Sequence, residues 1–260
     1  MKNIFSKIYI VIIMLFLYMP IMTLIVLSFN EAKSMSVFTR FSLHWYRELF
    51  QSKMMLGAMI NTFTIAILAA LIATVVGTMA AIALGGMKKR TQTMLLAVNN
   101  IPMLNADIVT GIALMLFFLL IGAPKGYCTI LFSHATFCIP YVLLSVRPRL
   151  NKNTNKLFEA ALDLGASESY AFRKIVVPEL MPGIMSGFLL SFTMSVDDFI
   201  ITYFTRGAGI NTISTLIYSQ VKVGIRPSLF ALSTIIFVIA LVVLLIVNLQ
   251  QNKNDNVKMA

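Results

Sequence analysis

The chain has 260 residues, of which 58% are hydrophobic and only 12% are charged, and its mean hydropathy is +0.86. A soluble domain of this size carries about twice that share of charged residues, so the composition excludes an ordinary soluble protein and indicates a polytopic membrane protein. The net charge of +11 could also indicate a nucleic-acid partner. However, the basic residues lie between apolar runs, as in membrane proteins with positive inner loops, so we expect no nucleic-acid binding.

Six apolar runs are each long enough to cross a bilayer, which takes about 20 residues. They cover residues 8–29, 58–86, 98–122, 127–146, 182–204 and 227–249. The first run follows Lys2 and Lys7 and has no small-residue cleavage site, so we expect an uncleaved span rather than a signal peptide. These runs predict an all-α fold in which residues 1–260 form one transmembrane domain of six helices.

Lys and Arg residues are distributed unevenly between the segments that connect the runs. More of them lie on the side that holds the N-terminus, most clearly at residues 88–90 and 147–156. By the positive-inside rule, this bias places both termini in the cytoplasm of a multi-pass protein surrounded by membrane lipid.

No recognisable catalytic motif is present. The sequence lacks a phosphate-binding G-x4-G-K-[S/T] stretch, an H-E-x-x-H pair and a G-x-S-x-G elbow. Cys128 and Cys138 lie in one apolar run without metal-ligand spacing, and His44 and His134 are far apart in the sequence. We therefore predict no catalytic residue, no metal site and no cofactor bound by this chain.

Two stretches predict packing rather than chemistry. Residues 41–50, FSLHWYRELF, place Phe41, Trp45, Leu49 and Phe50 on one face of a short helix that would lie on the outer surface. The second apolar run carries a stripe of small residues, which in membranes is typical of a close contact between helices. The stripe consists of Ala66, Ala70, Ala73, Gly77 and Ala81.

Residues 159–178, EAALDLGASESYAFRKIVVP, form a polar island on the predicted cytoplasmic side. Residues 153–155 offer helix caps, and we expect a helix from there to about Leu164, which Gly165 would end in a left-handed conformation. Ser167 can cap a second short helix, and Pro178 is expected to stop it.

The spacing within this island is specific. It reads Glu159-Ala160-Ala161, three residues, Gly165, nine residues, Ile175, two residues and Pro178. It resembles the EAA loop of ABC-importer permease subunits, E-A-A-x3-G-x9-I-x-L-P, and departs from it by carrying Val177 in place of Leu. The resemblance extends to the six-span layout and implies a type I importer permease fold.

In that family the loop docks on a separate ATPase. The resemblance therefore implies a coupling loop at about residues 147–181 and a homodimeric ATPase partner that holds ATP and Mg. The implied docking residues are Glu159, which would pair with a basic group, Ala160 and Ala161, which allow close approach, Gly165, which makes the bend, and Pro178.

Three acidic residues, Asp107, Asp197 and Asp198, lie within apolar runs that contain no Lys or Arg. Each costs about 2.5–3.5 kcal/mol there on insertion scales, so they are candidates for function. On a continuous helix Asp198 would share a polar stripe with Ser195 and other hydroxyls, facing a wet cavity. These other hydroxyls are those of Ser191, Thr202 and Thr205. In the third run, Asp107 would lie near mid-membrane and share a helix face with Asn100, Thr110 and Gly111.

A linear polyamine fits these acids because its ammonium groups would pair with carboxylates while its methylenes pack on apolar side chains. Aromatic rings such as those of Trp45, Tyr46 and Tyr203 could hold ammonium groups by cation–π contacts. Other interpretations stay open: Trp45 as an interfacial anchor, Asp107 in an interhelical hydrogen bond, and Asp197–Asp198 paired with a second permease.

Three stretches are similar to the permease subunits of spermidine/putrescine importers. They are residues 41–50, the Pro102–Asp107–Gly111 region, and SFTMSVDDFIITYF at residues 191–204. This resemblance implies a heterodimer with a sister permease in a bacterial inner membrane and an extracytoplasmic polyamine-binding protein. The alternatives are a permease for another cationic solute, such as ferric iron or a thiamine-like molecule, and an intramembrane aspartyl enzyme that uses Asp107 and Asp198.

Overall fold

The computed structural model describes residues 2–33, 37–150 and 152–242. These residues form helices and connecting turns, and they contain no β-strand apart from an isolated bridge between Asn30 and Phe41. The chain divides into two compact units, one of residues 1–56 with 217–260 and the other of residues 57–216.

Twelve helices are numbered here in chain order within the described residues. They are α1 (Lys2–Ser28), α2 (His44–Gln51), α3 (Lys53–Gly85), α4 (Lys89–Leu104), α5 (Asp107–Leu120), α6 (Tyr127–Val146), α7 (Lys152–Asp163), α8 (Glu168–Ala171), α9 (Val177–Asp197), α10 (Ile200–Thr205), α11 (Ile213–Val223) and α12 (Ser228–Val242). A 3₁₀ turn at Arg147–Arg149 follows α6, and a π-helical turn at Phe172–Val176 joins α8 to α9.

Four helical stretches in the described residues are long and apolar enough to cross a membrane. They are Ser6–Ser28, Lys53–Gly85, Tyr127–Arg149 and Glu168–Asp197. The bent pair α4 and α5 is a fifth candidate, and the apolar helix α12 covers the start of the sixth predicted run. The rest of that run, residues 243–249, lies outside the described residues.

Two of the predicted straight spans are broken. The third run bends by 103° between α4 and α5, so Asn100 and Asp107 belong to different helices and do not share the predicted face. The fifth run stops at Asp197 and resumes at Ile200. Interrupted helices of this kind expose backbone groups inside the membrane region, where neighbouring side chains must satisfy them.

In the first unit, the segment after α1 is organised around Asn30 and Trp45. The indole N–H of Trp45 donates to the Asn30 carbonyl at 2.6 Å, and the Asn30 amide donates to the Val37 carbonyl at 2.8 Å.

Trp45 and Leu49 are buried on α2, which confirms a short helix in this segment. The predicted face was wrong for its two ends, because the helix begins at His44, after Phe41, and Phe50 is 58% exposed. Trp45 is only 3% exposed, so its ring has no free face for the predicted cation–π contact with an ammonium group. We therefore assign Trp45 to the packing of this segment.

An ion pair lies at the surface of the same segment. The Arg40 guanidinium contacts the Glu31 carboxylate at 2.9 Å. The hydrogen bond and the positive charge of Arg40 lower the pKa of Glu31 below its ordinary value.

The second unit is built on close helix contacts made by small residues. The predicted stripe on α3 is buried, and a Cβ added to Gly77 would lie 2.8 Å from the Val142 Cβ of α6. Gly183 and Gly187 of α9 also pack closely on α6, since added Cβ atoms would lie 2.9 Å from the Ser145 carbonyl oxygen and 3.1 Å from the Val142 Cα. Helix backbones that approach this closely gain packing contacts, which hold helices together when lipid surrounds them.

Helix α6 runs antiparallel to α9 and α10. Gly183 packs beside Val146, Cys138 donates to the Ser191 carbonyl at 3.5 Å, and Thr129 donates to the Thr205 carbonyl at 2.8 Å. These contacts follow opposite directions along the two segments. The broken fifth run is therefore held against one continuous helix.

Candidate functional site

The Asp198 carboxylate accepts hydrogen bonds from the first backbone N–H groups of α10, the helix that begins after the break. Its Oδ1 accepts from the Ile201 N–H at 3.2 Å, and its Oδ2 accepts from the Thr202 N–H at 2.8 Å and the Thr202 hydroxyl at 2.9 Å. The first N–H groups of a helix have no partner within the helix, and an acid placed before them supplies one. Asp198 thus holds the start of α10.

His134 of α6 connects the two halves of the broken span. Its ring is 1% exposed, its Nδ1 lies 2.6 Å from the Ser195 hydroxyl, and its Nε2 lies 2.8 Å from the Thr202 hydroxyl. Because the Thr202 hydroxyl donates to Asp198, the His134 ring must donate from Nε2 to Thr202, and Nδ1 shares a second hydrogen bond with the Ser195 hydroxyl. Nε2 is also 3.3 Å from Asp198 Oδ2.

This network corrects two sequence predictions. Asp198 has a partner within its own chain, and Ser195 hydrogen-bonds to His134 instead of lining a wet cavity. The hydroxyls predicted to lie on the same stripe, those of Ser191, Thr202 and Thr205, are buried as well. His134 was not recognised as functional from the sequence, although an ionisable ring inside an apolar run is itself a signal.

The neighbouring acids have different surroundings. Asp197 and Asp107 are exposed, and neither is in an ion pair within the described part of the chain. Asp107 is the first residue of α5, at the α4–α5 bend, rather than a residue in the middle of a straight span. Both residues can therefore contact a ligand or a partner chain.

The two exposed acids lie at the same end of a helix pair. A Cβ added to Gly111 would contact Phe204 and Ile201, so α5 packs on α10. Met115, one turn further along α5, lines a cavity with Phe204, which shows that the two helices run in the same direction. Gly111 is level with the first turn of α10, and Asp107 precedes it by four residues, about 6 Å, so Asp107 lies on the side of that turn where the α9–α10 break is.

The predicted coupling loop has the expected bend. Gly165 adopts φ +86°, its N–H donates to the Leu162 carbonyl at 2.9 Å, and the Ala166 N–H donates to the Ala161 carbonyl at 3.0 Å. This pair of hydrogen bonds is the Schellman motif that ends helices at glycine, here at the end of α7. Ser167 then caps α8 by accepting from the Tyr170 N–H.

Pro178 does not stop the second helix, which is a correction. The helix continues from Glu168 to Asp197 without a break. Pro178 lies in the first turn of α9, directly after the π-helical turn, where a missing backbone N–H is tolerated. The short helix α8 and the fifth span therefore form one continuous helical stretch.

The predicted docking residues lie at the surface of the chain. Glu159, Ala160, Gly165 and Pro178 are exposed, and Ala161 is half-buried. Large apolar side chains are exposed beside them, with Leu157 at 54% and Leu164 at 89%. Phe158 of the same helix packs against the buried core of the second unit, so one face of α7 is anchored while the other is open.

An exposed helix–glycine–helix loop that continues into a broken, lipid-compatible span defines a membrane-transport subunit. A sequence profile described as the binding-protein-dependent transport system inner membrane component matches residues 73–255, and the chain belongs to this family. It is therefore a multi-pass inner-membrane permease subunit and not an enzyme.

Two relatives are similar along most of their length. The chain is 38% identical over 241 residues to the spermidine/putrescine transport system permease protein PotC of Haemophilus influenzae, covering 93% of this chain and 94% of that protein. It is 37% identical over 228 residues to the putrescine transport system permease protein PotI of Escherichia coli K12, covering 85% and 81%.

A solved structure shares the fold. It is the crystal structure of a bacterial ABC transporter involved in the import of the acidic polysaccharide alginate, at a TM-score of 0.76 and 15% identity, covering 96% of this chain and 95% of that one. At this identity the match shows the importer permease fold alone.

Proposed function

We propose that this chain is the permease subunit of an ATP-driven importer that carries linear polyamines, spermidine or putrescine, across the inner membrane. The observation that carries the proposal is the pair of exposed carboxylates, Asp107 at the start of α5 and Asp197 at the end of α9, just before the parallel helix α10. The names of PotC and PotI support the same class of substrate.

The acids have separate roles in this proposal. Asp107 and Asp197 contact the ammonium groups of the substrate, because their carboxylates are exposed and unpaired within the described residues. Asp198 and Ser195 act indirectly, because their hydrogen bonds to α10 and His134 fix the break beside Asp197. Trp45 contributes only packing in the first unit.

The proposed assembly contains three kinds of partner. A sister permease completes the pathway, a homodimeric ATPase holds ATP and Mg, and an extracytoplasmic polyamine-binding protein delivers the substrate. The coupling loop docks on the ATPase through Glu159, Ala160, Ala161, Gly165 and Pro178. Its exposed apolar side chains and its continuity with α9 support this role, because movement of α8 would be transmitted directly to the break.

The proposed orientation places both termini and the coupling loop in the cytoplasm. Lys88, Lys89, Arg90, Arg147 and Arg149 are all on the loop side of the second unit, as the positive-inside rule requires. Helix α6 has 20 residues and is about 30 Å long, enough to connect the two faces of a bilayer. Its end leads to the coupling loop, and its start therefore lies on the outer side.

Uptake by the complete transporter tests the substrate. The full complex in proteoliposomes, supplied with ATP inside and binding protein outside, should take up labelled spermidine or putrescine, and excess ferric iron or thiamine should not compete. Asp197→Asn and Asp107→Asn should each lower polyamine uptake about tenfold, since one charge pair is worth about 1.4 kcal/mol in such a site.

Glu31→Gln is the matched control, because it also removes one exposed carboxylate but lies outside the spans. Uptake of labelled thiamine or ferric iron, without polyamine uptake, would replace the proposal with the other cationic solute. Normal polyamine uptake by both aspartate variants would remove them from the pathway.

A further inference from the structure

A basic cavity lies at the opposite end of the α5–α10 pair from the acids. Its volume is about 550 Å³, and its lining includes Met115, Lys125, Tyr203, Arg206, Gly207 and Asn211. All of these residues belong to the second unit. The proposed substrate contacts do not involve this cavity, and a polycation would be repelled from it.

The walls of the cavity are held by specific contacts. Gly207 packs on the backbone of Lys125 so closely that a Cβ would overlap the Lys125 carbonyl. Thr129 donates to the Thr205 carbonyl at 2.8 Å, and Asn61 donates to the Asn211 carbonyl at 3.1 Å. Two loops that are distant in sequence are therefore fixed beside one another, each with a basic residue.

The two basic groups have no acidic partner in the described part of the chain. Lys125 is exposed and Arg206 half-buried, and neither is in an ion pair there. Arg206 is oriented by the Asn211 side chain, to which it donates, and by the Tyr203 ring, whose centroid is 5.6 Å from the guanidinium carbon. Two basic groups without an acidic partner, on loops whose backbones are held beside one another, favour an anion as their ligand.

The position of the cavity identifies the kind of anion. Tyr127, the first residue of α6, follows the Lys125 loop, and the other end of α6 leads to the coupling loop about 30 Å away. In the proposed orientation the cavity therefore opens on the outer side, out of reach of the ATPase and its nucleotide. A protein that delivers a polycation must surround it with carboxylates, so its rim is acidic.

We propose that the Lys125–Arg206 cavity is the docking site for an acidic side chain on the rim of the delivering binding protein. The proposal rests on the proposed function, because the acidic rim follows from a cationic cargo. Docking would place the mouth of that protein's cleft at the outer end of α5 and α10. The basic cavity also keeps unaccompanied polycation away from this entrance.

Binding of the spermidine-loaded binding protein to the full complex in phosphatidylcholine nanodiscs tests the proposal. Lys125→Glu and Arg206→Glu should each weaken binding about tenfold or more at about 0.05 M salt, mainly through the association rate. The loss should shrink at about 0.5 M salt, and Lys125→Arg should retain binding. Co-purification of each variant with the sister permease and the ATPase confirms that it has assembled.

Lys53→Glu is the matched control, since it reverses an exposed basic charge on the same predicted face outside the cavity and should bind as wild type. If both cavity variants bind the binding protein with wild-type affinity, the docking site is wrong. Spermidine uptake by the wild-type complex would still leave the proposed function intact. A loss of binding-protein affinity in the cavity variants that appears only when phosphatidylglycerol is added to the nanodiscs would overturn the docking site and assign the cavity to a lipid headgroup. Absence of spermidine uptake by the wild-type complex would instead contradict the proposed function.

Discussion

The α9–α10 break and the coupling loop are both polar regions of an apolar chain, but their polar groups are used differently. At the break, Asp198, His134, Ser195 and Thr202 form hydrogen bonds with one another and with the backbone, and all are buried. At the coupling loop, Glu159 is exposed and the neighbouring apolar side chains have open faces. The first region stabilises this chain, and we propose that the second presents a surface to the ATPase.

This difference shows why adjacent residues can have separate roles. Asp198 already accepts three hydrogen bonds from α10 and its side chain is only 8% exposed, whereas Asp197 is exposed and makes no such bonds within the described residues. A carboxylate in an apolar run indicates function, but the function can be the shape of the helix that carries it. Variants that separate the buried region from the exposed loop test this distinction.

The largest effect is expected at the buried network. Asp198→Ala removes the acceptor for two backbone N–H groups and the Thr202 hydroxyl, and should lower the stability of the assembled complex by about 2–4 kcal/mol. His134→Ala should be similarly harmful. The double variant should lose about 1–2 kcal/mol less stability than the sum of the two single variants, because Asp198 and His134 belong to one hydrogen-bond network.

Thermal melting of the wild type and these three variants in detergent measures this cycle. Additive losses would show that His134 and Asp198 act independently. An Asp198→Asn variant keeps one carbonyl acceptor and should lie between wild type and Asp198→Ala.

A smaller loss is expected where α3 meets α6. Gly77→Ala places a methyl group 2.8 Å from the Val142 Cβ and should cost about 1–3 kcal/mol by overpacking. Gly57→Ala is the control on the same helix, because its Cβ would meet nothing within 4 Å. It should be neutral or stabilising by up to about 1 kcal/mol, and equal melting temperatures for the two variants would contradict the close contact.

The coupling loop should respond through backbone conformation. Gly165→Val forces a β-branched residue into a φ of +86°, at a cost of about 1–2 kcal/mol to the end of α7, although its Cβ has open space. We expect weaker stimulation of ATP hydrolysis by loaded binding protein and an unchanged melting temperature of the membrane region. Gly165→Asn, which tolerates this conformation better, should keep more of the stimulation.

The smallest effect is expected from surface charge on the loop. Glu159→Lys should weaken binding of the ATPase by about 1 kcal/mol, as for an exposed ion pair, and this loss should be smaller at high salt. Co-purification of the ATPase measures it. Glu168→Lys tests the same charge change on α8, outside the predicted docking residues. Equal losses in both variants would indicate a general charge effect rather than a contact of Glu159.

The coupling loop was predictable in detail because its signals are local. Gly165 in a left-handed conformation, the cap by Ser167 and the short helix α2 each depend on a few neighbouring residues. Pro178 was misjudged because proline stops a helix only where the backbone cannot adapt, and the π-helical turn before it provides that adaptation. Local rules do not include such a compensating turn.

The substrate region was predictable only in part. Helical periodicity assumes an unbroken helix, so the stripe of Ser195, Asp198 and Thr202 was assigned to a cavity that the α9–α10 break replaces with a buried network. The partner, His134, is 64 residues before Asp198 in the sequence, and no short-range pattern connects the two. Trp45 was likewise placed in the substrate path because its carbonyl partner, Asn30, cannot be inferred from residue type.

The sequence by itself determined the membrane class, the family and the helix–glycine–helix conformation of the predicted coupling loop, because hydropathy, charge bias and motif spacing are properties of the chain and need no three-dimensional contact. Only the tertiary structure decided which acids are available to a ligand. That decision depends on where the helices break and on which side chain of α6 faces the break, and both follow from packing between residues far apart in the chain. The same packing joins Lys125 to Arg206, forming a basic cavity from two loops that the sequence leaves unrelated.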